Sequence, residues 1–321
     1  MRTLSGTMLA RIAPPCLAAA FLLSAAPAVA HELMTGLKTD MFDYEYVEPK
    51  NPAHRPIYET MKEKRVLENF QEFLAPLRLP IRITLKLEGC DGVANATFWD
   101  SAIKVCYEFI EYLRSQAPKA QKWGLTVKDS MIALVVDVFL HETGHAVLED
   151  LDIPFFGREE DAADYFASYL LLQFSKPDAR RLILGTSFLG DADSMERQMS
   201  AGEREMRATK MQLVADPHSL PGQRYFNRLC MAYGADPILF ADAISVGGLP
   251  ENRAKHCRYE YQTNAHAFKI LVAPYIDDEL QKKVMARKWF EFETPVEGLE
   301  KPATTSNGPE DAAKAFRPSK E

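Results

Sequence analysis

Apolar and polar positions alternate over Ile81-Arg-Ile-Thr-Leu-Lys-Leu87, the period-two signature of a half-buried strand. Residues 95–98 and 102–109 read as two further strands, separated by a turn at Asp100-Ser101. Elsewhere the period becomes helical. Ile57, Met61, Val66, Phe70, Phe73 and Leu74 predict a helix from Ile57 to about Leu74. The clearest pattern runs from Thr126 to about Asp150, where Met131, Leu134, Val138, His141, His145 and Leu148 fall three or four apart and form one stripe. Thr126 is a candidate N-cap, with Asp129 three residues on as a weak capping-box partner. Pro154 and Gly157 break the chain, and a second helix is expected from near Arg158 to about Phe174.

Downstream, residues 178–215 read as charged helix and 216–222 as loop, with more helix over 223–233, 237–245 and 260–273. Residues 31–56, with Pro49, Pro52 and Pro56, read as an extended arm. From Pro295 to residue 321 large apolar side chains almost vanish, which is the composition of a disordered tail. Strands followed by helices predict an α+β fold. A small mixed or antiparallel sheet would pack on the 126–150 helix, followed by a mainly helical C-terminal part, in one domain over residues 31–294.

The first thirty residues do not belong to that pattern. Arg2 and Arg11, the apolar run from Cys16 to Ser24, and Ala28-Val29-Ala30 are the parts of a cleavable signal peptide. No later segment reads as a membrane span, so the mature chain is expected to lack a stable membrane anchor and to be periplasmic or extracellular. Cleavage removes two arginines and no acid, which moves the formal charge from −7 to −9. An acidic chain disfavours nucleic acid as a partner. It also leaves four of five cysteines, Cys90, Cys106, Cys230 and Cys257. An even count in an exported chain predicts two disulfides, and of the three pairings sequence proximity favours Cys90–Cys106 with Cys230–Cys257.

The candidate chemistry sits on the long stripe. His141-Glu142-Thr143-Gly144-His145 places two imidazoles one helical turn apart, within reach of a single ion. Zinc takes such nitrogen ligands and keeps an open position. Glu142, beside them, can then take a proton from an attacking water as general base. A motif of this kind arises by chance about once in a hundred such chains. The next helix opens Arg158-Glu159-Glu160-Asp161-Ala162-Ala163-Asp164, which offers a third metal ligand. Glu160 is the choice and Glu159 the competitor. Asp164, one turn beyond Glu160, could accept a hydrogen bond from a ligand imidazole. Gly144 and the two alanines would let the helices approach closely.

HETGH (141–145) with EEDAAD (159–164) resembles the gluzincin branch of zincin metallopeptidases, in which a Glu followed four residues later by Asp is the third ligand. The chain also resembles a family of bacterial exported proteins assigned to metallopeptidases and of unknown function. That resemblance rests on CDGVANATFW (90–99), KVCYE (104–108), the 141–164 segment and DPHSLPGQRYFNRLCMAYGADP (216–237). It covers roughly residues 80–275. It implies a zincin-like fold, one zinc ion held by His141, His145 and Glu160, and a peptide or protein substrate. His218 to Arg224 resembles a His-x(5)-Arg segment of some gluzincins, which implies His218 or Arg224 as a donor to the developing oxyanion. Tyr261 is a weaker candidate for the same task. Two alternatives share these residues: a zinc-binding interaction protein without catalysis, and a zinc amidase acting on cell-wall material.

Overall fold

The computed structural model describes residues 36–186 and 215–295. The expected signal segment, the tail after residue 295, and residues 187–214 of the expected 178–215 helix lie outside the described residues. What is described is a mixed α+β fold with one four-stranded sheet and many helices.

The sheet contains β1 (Phe42–Tyr46), β2 (Ile83–Glu88), β3 (Ala96–Trp99) and β4 (Ala102–Cys106), in the order β1-β2-β4-β3. β1 pairs parallel to β2, and β2 parallel to β4; β3 runs antiparallel to β4. The sheet is therefore mixed. Part of the expected arm is thus a strand, and the parallel β1–β2 pair needs a crossover. Helices α1 (Arg55–Glu63) and α2 (Val66–Leu74) provide it. These two replace the single helix expected from Ile57 to Leu74. Arg65 between them takes left-handed backbone at φ 50°, and the Tyr46 hydroxyl accepts the Leu67 N–H at 2.8 Å, satisfying a donor of the new first turn.

The alternation of β2 puts Ile83, Leu85 and Leu87 on one fully buried face. With Ile103 and Val105 of β4 they form the side of the sheet that packs on α2 and on α4 (Val127–Asp150). Asp100 and Ser101 both take positive φ and close the β3–β4 hairpin in two residues. The last expected strand is shorter than its pattern: β4 stops at Cys106 and α3 (Tyr107–Gln116) begins at once. The Tyr107 hydroxyl reaches the carbonyls of Val47 and Leu87, which ties that corner to the sheet.

α4 is the central helix. The Thr126 side chain accepts the Asp129 N–H, so it is the N-cap. The Asp129 carboxylate does not complete a capping box; it holds the backbone N–H groups of Glu293 and Thr294. By length and composition alone α4 could cross a membrane, contrary to the sequence expectation that no such segment follows residue 30, but most of it is buried inside the protein. It is a core helix. α5 (Glu159–Leu171) and α6 (Lys176–Thr186) pack along it. α7 (Pro221–Ala235) lies against α5 and α8 (Glu251–Leu271), and α9 (Asp278–Met285) follows. α8 begins well before the expected residue 260, only Asp242–Ser245 of the expected 237–245 helix is α-helical, and α9 was not expected. The disulfides are Cys90–Cys106, which ties the loop after β2 to the end of β4, and Cys230–Cys257, which joins α7 to α8.

Candidate metal centre

The apolar stripe that buries α4 also buries His141 and Glu142, and it leaves His145 half-buried one turn on. α4 ends at Asp150, and a short loop turns the chain back into α5. Gly157 supplies a left-handed position at φ 96° in that loop. α5 then starts with Glu159, Glu160 and Asp161, acids at the end of a helix whose N–H groups favour negative charge. The two helices touch at Gly144, where a Cβ would stand 3.0 Å from the Ala163 Cα. This close approach brings the start of α5 to the two histidines.

Three ligand-type atoms converge there. The Nε2 atoms of His141 and His145 are 3.2 Å apart. Glu160 Oε2 lies 3.1 Å from the first and 3.4 Å from the second. Ligands about 2.0–2.1 Å from a tetrahedral zinc stand about 3.3 Å from one another, so the triangle fits such an ion. Both outer nitrogens are already occupied. His141 Nδ1 is 3.0 Å from Asp164 Oδ1, and His145 Nδ1 is 2.8 Å from Glu159 Oε1. With carboxylates on the Nδ1 atoms, both Nε2 atoms are committed to the centre. Of the two candidate glutamates, Glu160 joins the triangle and Glu159 backs His145.

A second layer surrounds these groups. Arg224 grips Asp164 with Nε and Nη2, each at 2.6 Å. Its sequence-based reading as an oxyanion donor does not match this geometry, because the guanidinium fork is committed to the carboxylate behind His141. One turn along α7, Arg228 holds the buried Asp137 at 2.9 Å, and Asp137 lies one turn before His141 on α4. His218 does reach the triangle: its Nε2 is 2.9 Å from Glu160 Oε2, and its ring lies parallel to that of His141. Asp216 Oδ1 accepts from both the His218 backbone N–H and Nδ1, which fixes the ring. Tyr261 stacks on Tyr169 in α5.

A family model described as "Putative metallopeptidase" (DUF4344) matches residues 46–272. The chain belongs to this family. All the groups just described fall inside the matched region, and the family's description points to a metal-dependent peptidase, a hydrolase acting on peptides or proteins. No curated protein and no solved structure matches the chain.

The electrostatics of this family member suit a cation. Burial alone would push the Glu160 carboxyl up, but hydrogen bonds from His141, His145 and His218 hold it well below the usual carboxylate range. Burial would likewise lower the His141 imidazole, yet Asp164 and Glu160 raise it to about 9. The carboxylates thus draw positive charge into the triangle. Glu142 differs. Burial pushes its carboxyl up, against the pull of His141 and His145.

The backbone N–H of Phe98 in β3 faces the Glu142 carboxyl and offsets part of that rise. The two-residue turn makes Trp99 and Ala102 a hydrogen-bonded pair. The alternate pair Asn95 and Cys106 fits this phase, with Cys106 N–H donating to Asn95 O at 3.0 Å. Phe98 opposite Ile103 is therefore a non-bonded pair, and its N–H leaves the edge of β3 that β4 does not use.

Sequence reasoning missed Asp137, Arg228 and Asp216. A signal existed for the first: an aspartate amid Val135-Val136-Asp137-Val138-Phe139 is an acid in a buried stripe, and such an acid needs a buried partner. The i, i+4 pair Arg224 and Arg228 offers two.

Proposed function

We propose that the chain is an exported zinc-dependent peptidase with a gluzincin arrangement, in which His141, His145 and Glu160 hold the metal. The observation that carries this reading is the triangle of Nε2, Nε2 and Oε2 atoms 3.1–3.4 Å apart, with a carboxylate on each Nδ1. Two imidazoles and a carboxylate favour zinc among divalent ions. When bound, the ion would act as a Lewis acid on a substrate carbonyl and make a nearby water acidic.

The other steps fall to the chain's own side chains. Glu142 takes the proton of the attacking water and passes it to the departing amine; a carboxyl raised by burial is a better proton acceptor at neutral pH. His218, whose Nδ1 is held by Asp216 and whose Nε2 rests on Glu160, would share that Nε2–H with the carbonyl oxygen as it gains negative charge. Asp164 and Glu159 orient the two imidazoles, and Arg224 fixes Asp164. An extended peptide would add to the free edge of β3, whose Phe98 N–H already faces Glu142. The sheet packed on the helix that carries the motif supports a zincin-like fold. The two disulfides support export, and with it the reading of residues 1–30 as a signal peptide.

The test is hydrolysis of a peptide pool followed by mass spectrometry, comparing the wild-type chain with Glu142→Gln. The variant should keep its zinc and lose cleavage by about a hundredfold or more. Equal cleavage by both removes Glu142 from the reaction. Zinc bound by both with no cleavage by either would favour the non-catalytic alternative.

A further inference from the structure

We infer that Arg158 is a positioning residue that latches the His218 loop over the metal triangle. The inference rests on the reading of His141, His145 and Glu160 as ligands. Arg158 is the residue before the first turn of α5, two positions from Glu160. Its Nη1 reaches across to the loop before α7, 3.1 Å from the His218 carbonyl oxygen and 3.4 Å from Ser219 Oγ.

The loop's internal bonds shape it without fixing its place. Asp216 folds onto His218, and Gln223 accepts the Leu220 N–H. Among the described residues, the hydrogen bond that ties this loop's backbone to another element is the one from Arg158. The consequence falls on Glu160. The carboxyl oxygen that faces both imidazoles also takes His218 Nε2 at 2.9 Å, so the loop's place decides whether that carboxylate is braced from outside. The latch and the braced ligand spring from one helix start, so a loop held by Arg158 stays in register with Glu160. Release of the loop should leave the triangle in place and uncover it.

The measurement is the rate at which the full chain, loaded with zinc, gives the metal up to a chromophoric chelator. It is read together with the unfolding midpoint of the metal-free protein. Arg158→Ala should release zinc roughly tenfold faster than wild type, the size of effect expected for one charge-assisted bond. Its metal-free midpoint should be unchanged. Arg158→Lys, which keeps the charge and one donor, should fall between the two. Asp216→Asn, which frees the ring while keeping the loop's length, should also speed release. Wild-type chain that holds stoichiometric zinc and an alanine variant that releases it at the same rate would overturn the latch and leave the ligand set standing. A fall in the metal-free midpoint equal to that of the loaded protein would also overturn it, because the effect would then be general stability. Wild-type chain that never binds zinc would defeat the ligand reading itself.

Discussion

Asp164→Asn keeps the shape of the side chain and removes its charge. In the native site Oδ1 serves His141 Nδ1 at 3.0 Å and Arg224 Nη2 at 2.6 Å, while Oδ2 takes Arg224 Nε at 2.6 Å. An asparagine offers one carbonyl oxygen, and its amide group would confront a donor. Either the guanidinium fork or the imidazole loses its acceptor. Removing one partner of a buried ion pair costs about 3–5 kcal/mol. Arg224 keeps 34% of its side chain exposed and can be partly hydrated, so about 2–3 kcal/mol is the expected loss for the metal-free protein. Arg224 and His141 outweigh burial and hold the Asp164 carboxyl well below the usual range. A depressed carboxyl stabilises the fold above its unfolded pKa of about 3.9 and loses that contribution only at more acid pH. The part of the loss that comes from Arg224 should therefore be constant above pH 5, whereas the part that comes from protonated His141, raised to about 9 in the fold, should be complete below about pH 6.5 and fade as pH rises through 9. Metal affinity should fall separately, by about 10–100-fold, because His141 loses the partner that aims its Nε2. Urea unfolding of the metal-free chain reads the first quantity, and chelator competition at neutral pH reads the second. A full stability loss with zinc affinity changed less than twofold would refute the reasoning, since Asp164 would then support the fold and not the ligand.

Three other substitutions probe different parts of the molecule. Gly144→Ala gains about 1 kcal/mol of helix propensity, but its Cβ meets Ala163 at 3.0 Å, so α5 must shift by a few tenths of an ångström. Stability should change by less than about 1 kcal/mol while zinc affinity falls about tenfold; unchanged affinity would show that the close approach does not set the triangle. Asp129→Asn removes one of two acceptors for the Glu293 and Thr294 N–H groups. It should cost about 2 kcal/mol and expose residues 287–295 to limited proteolysis, with zinc content unchanged; resistance equal to wild type would contradict this. Burial, with the charge of Glu149, pushes the Asp150 carboxyl up to about 6, and its Oδ2 is buried without a partner. A raised acid costs stability once pH exceeds its folded pKa and costs nothing below the unfolded one. Asp150→Asn should thus stabilise the protein by about 1 kcal/mol above pH 6, after allowance for solvent screening, with the gain fading toward pH 4. A gain that persists at pH 4, where the carboxyl is neutral in the fold, would point to a cause that does not depend on its charge, such as helix propensity.

The core helix was readable because three signals agree over residues 126–150: the cap at Thr126, a helical apolar period, and the break at Pro154. The β3–β4 turn was readable for a similar reason, since Asp100-Ser101 suits positive φ. β1 was missed although Phe42, Tyr44 and Tyr46 alternate with Asp43 and Glu45; nearby prolines dominated the reading of that stretch. The bend at Arg65 left no local signal, because its left-handed backbone belongs to a residue that rarely adopts it. At the site, the motif named which residues could meet but not their orientation. Glu159 and Glu160 are neighbours about 100° apart on a helix, and only the packing of Ala163 on Gly144 decides which carboxyl faces the imidazoles. Arg224 depends on the placing of α7 against α5, a contact between segments sixty residues apart.

The central claim is that two imidazoles and the Glu160 carboxylate form one metal site. Its most direct test is the zinc content of the purified full chain after exposure to zinc and gel filtration, measured alongside His141→Ala and Glu160→Ala. The account predicts about one zinc per wild-type chain and little or none in either variant, with all three proteins folded. Equal zinc in the three, or none in the wild type, would contradict it.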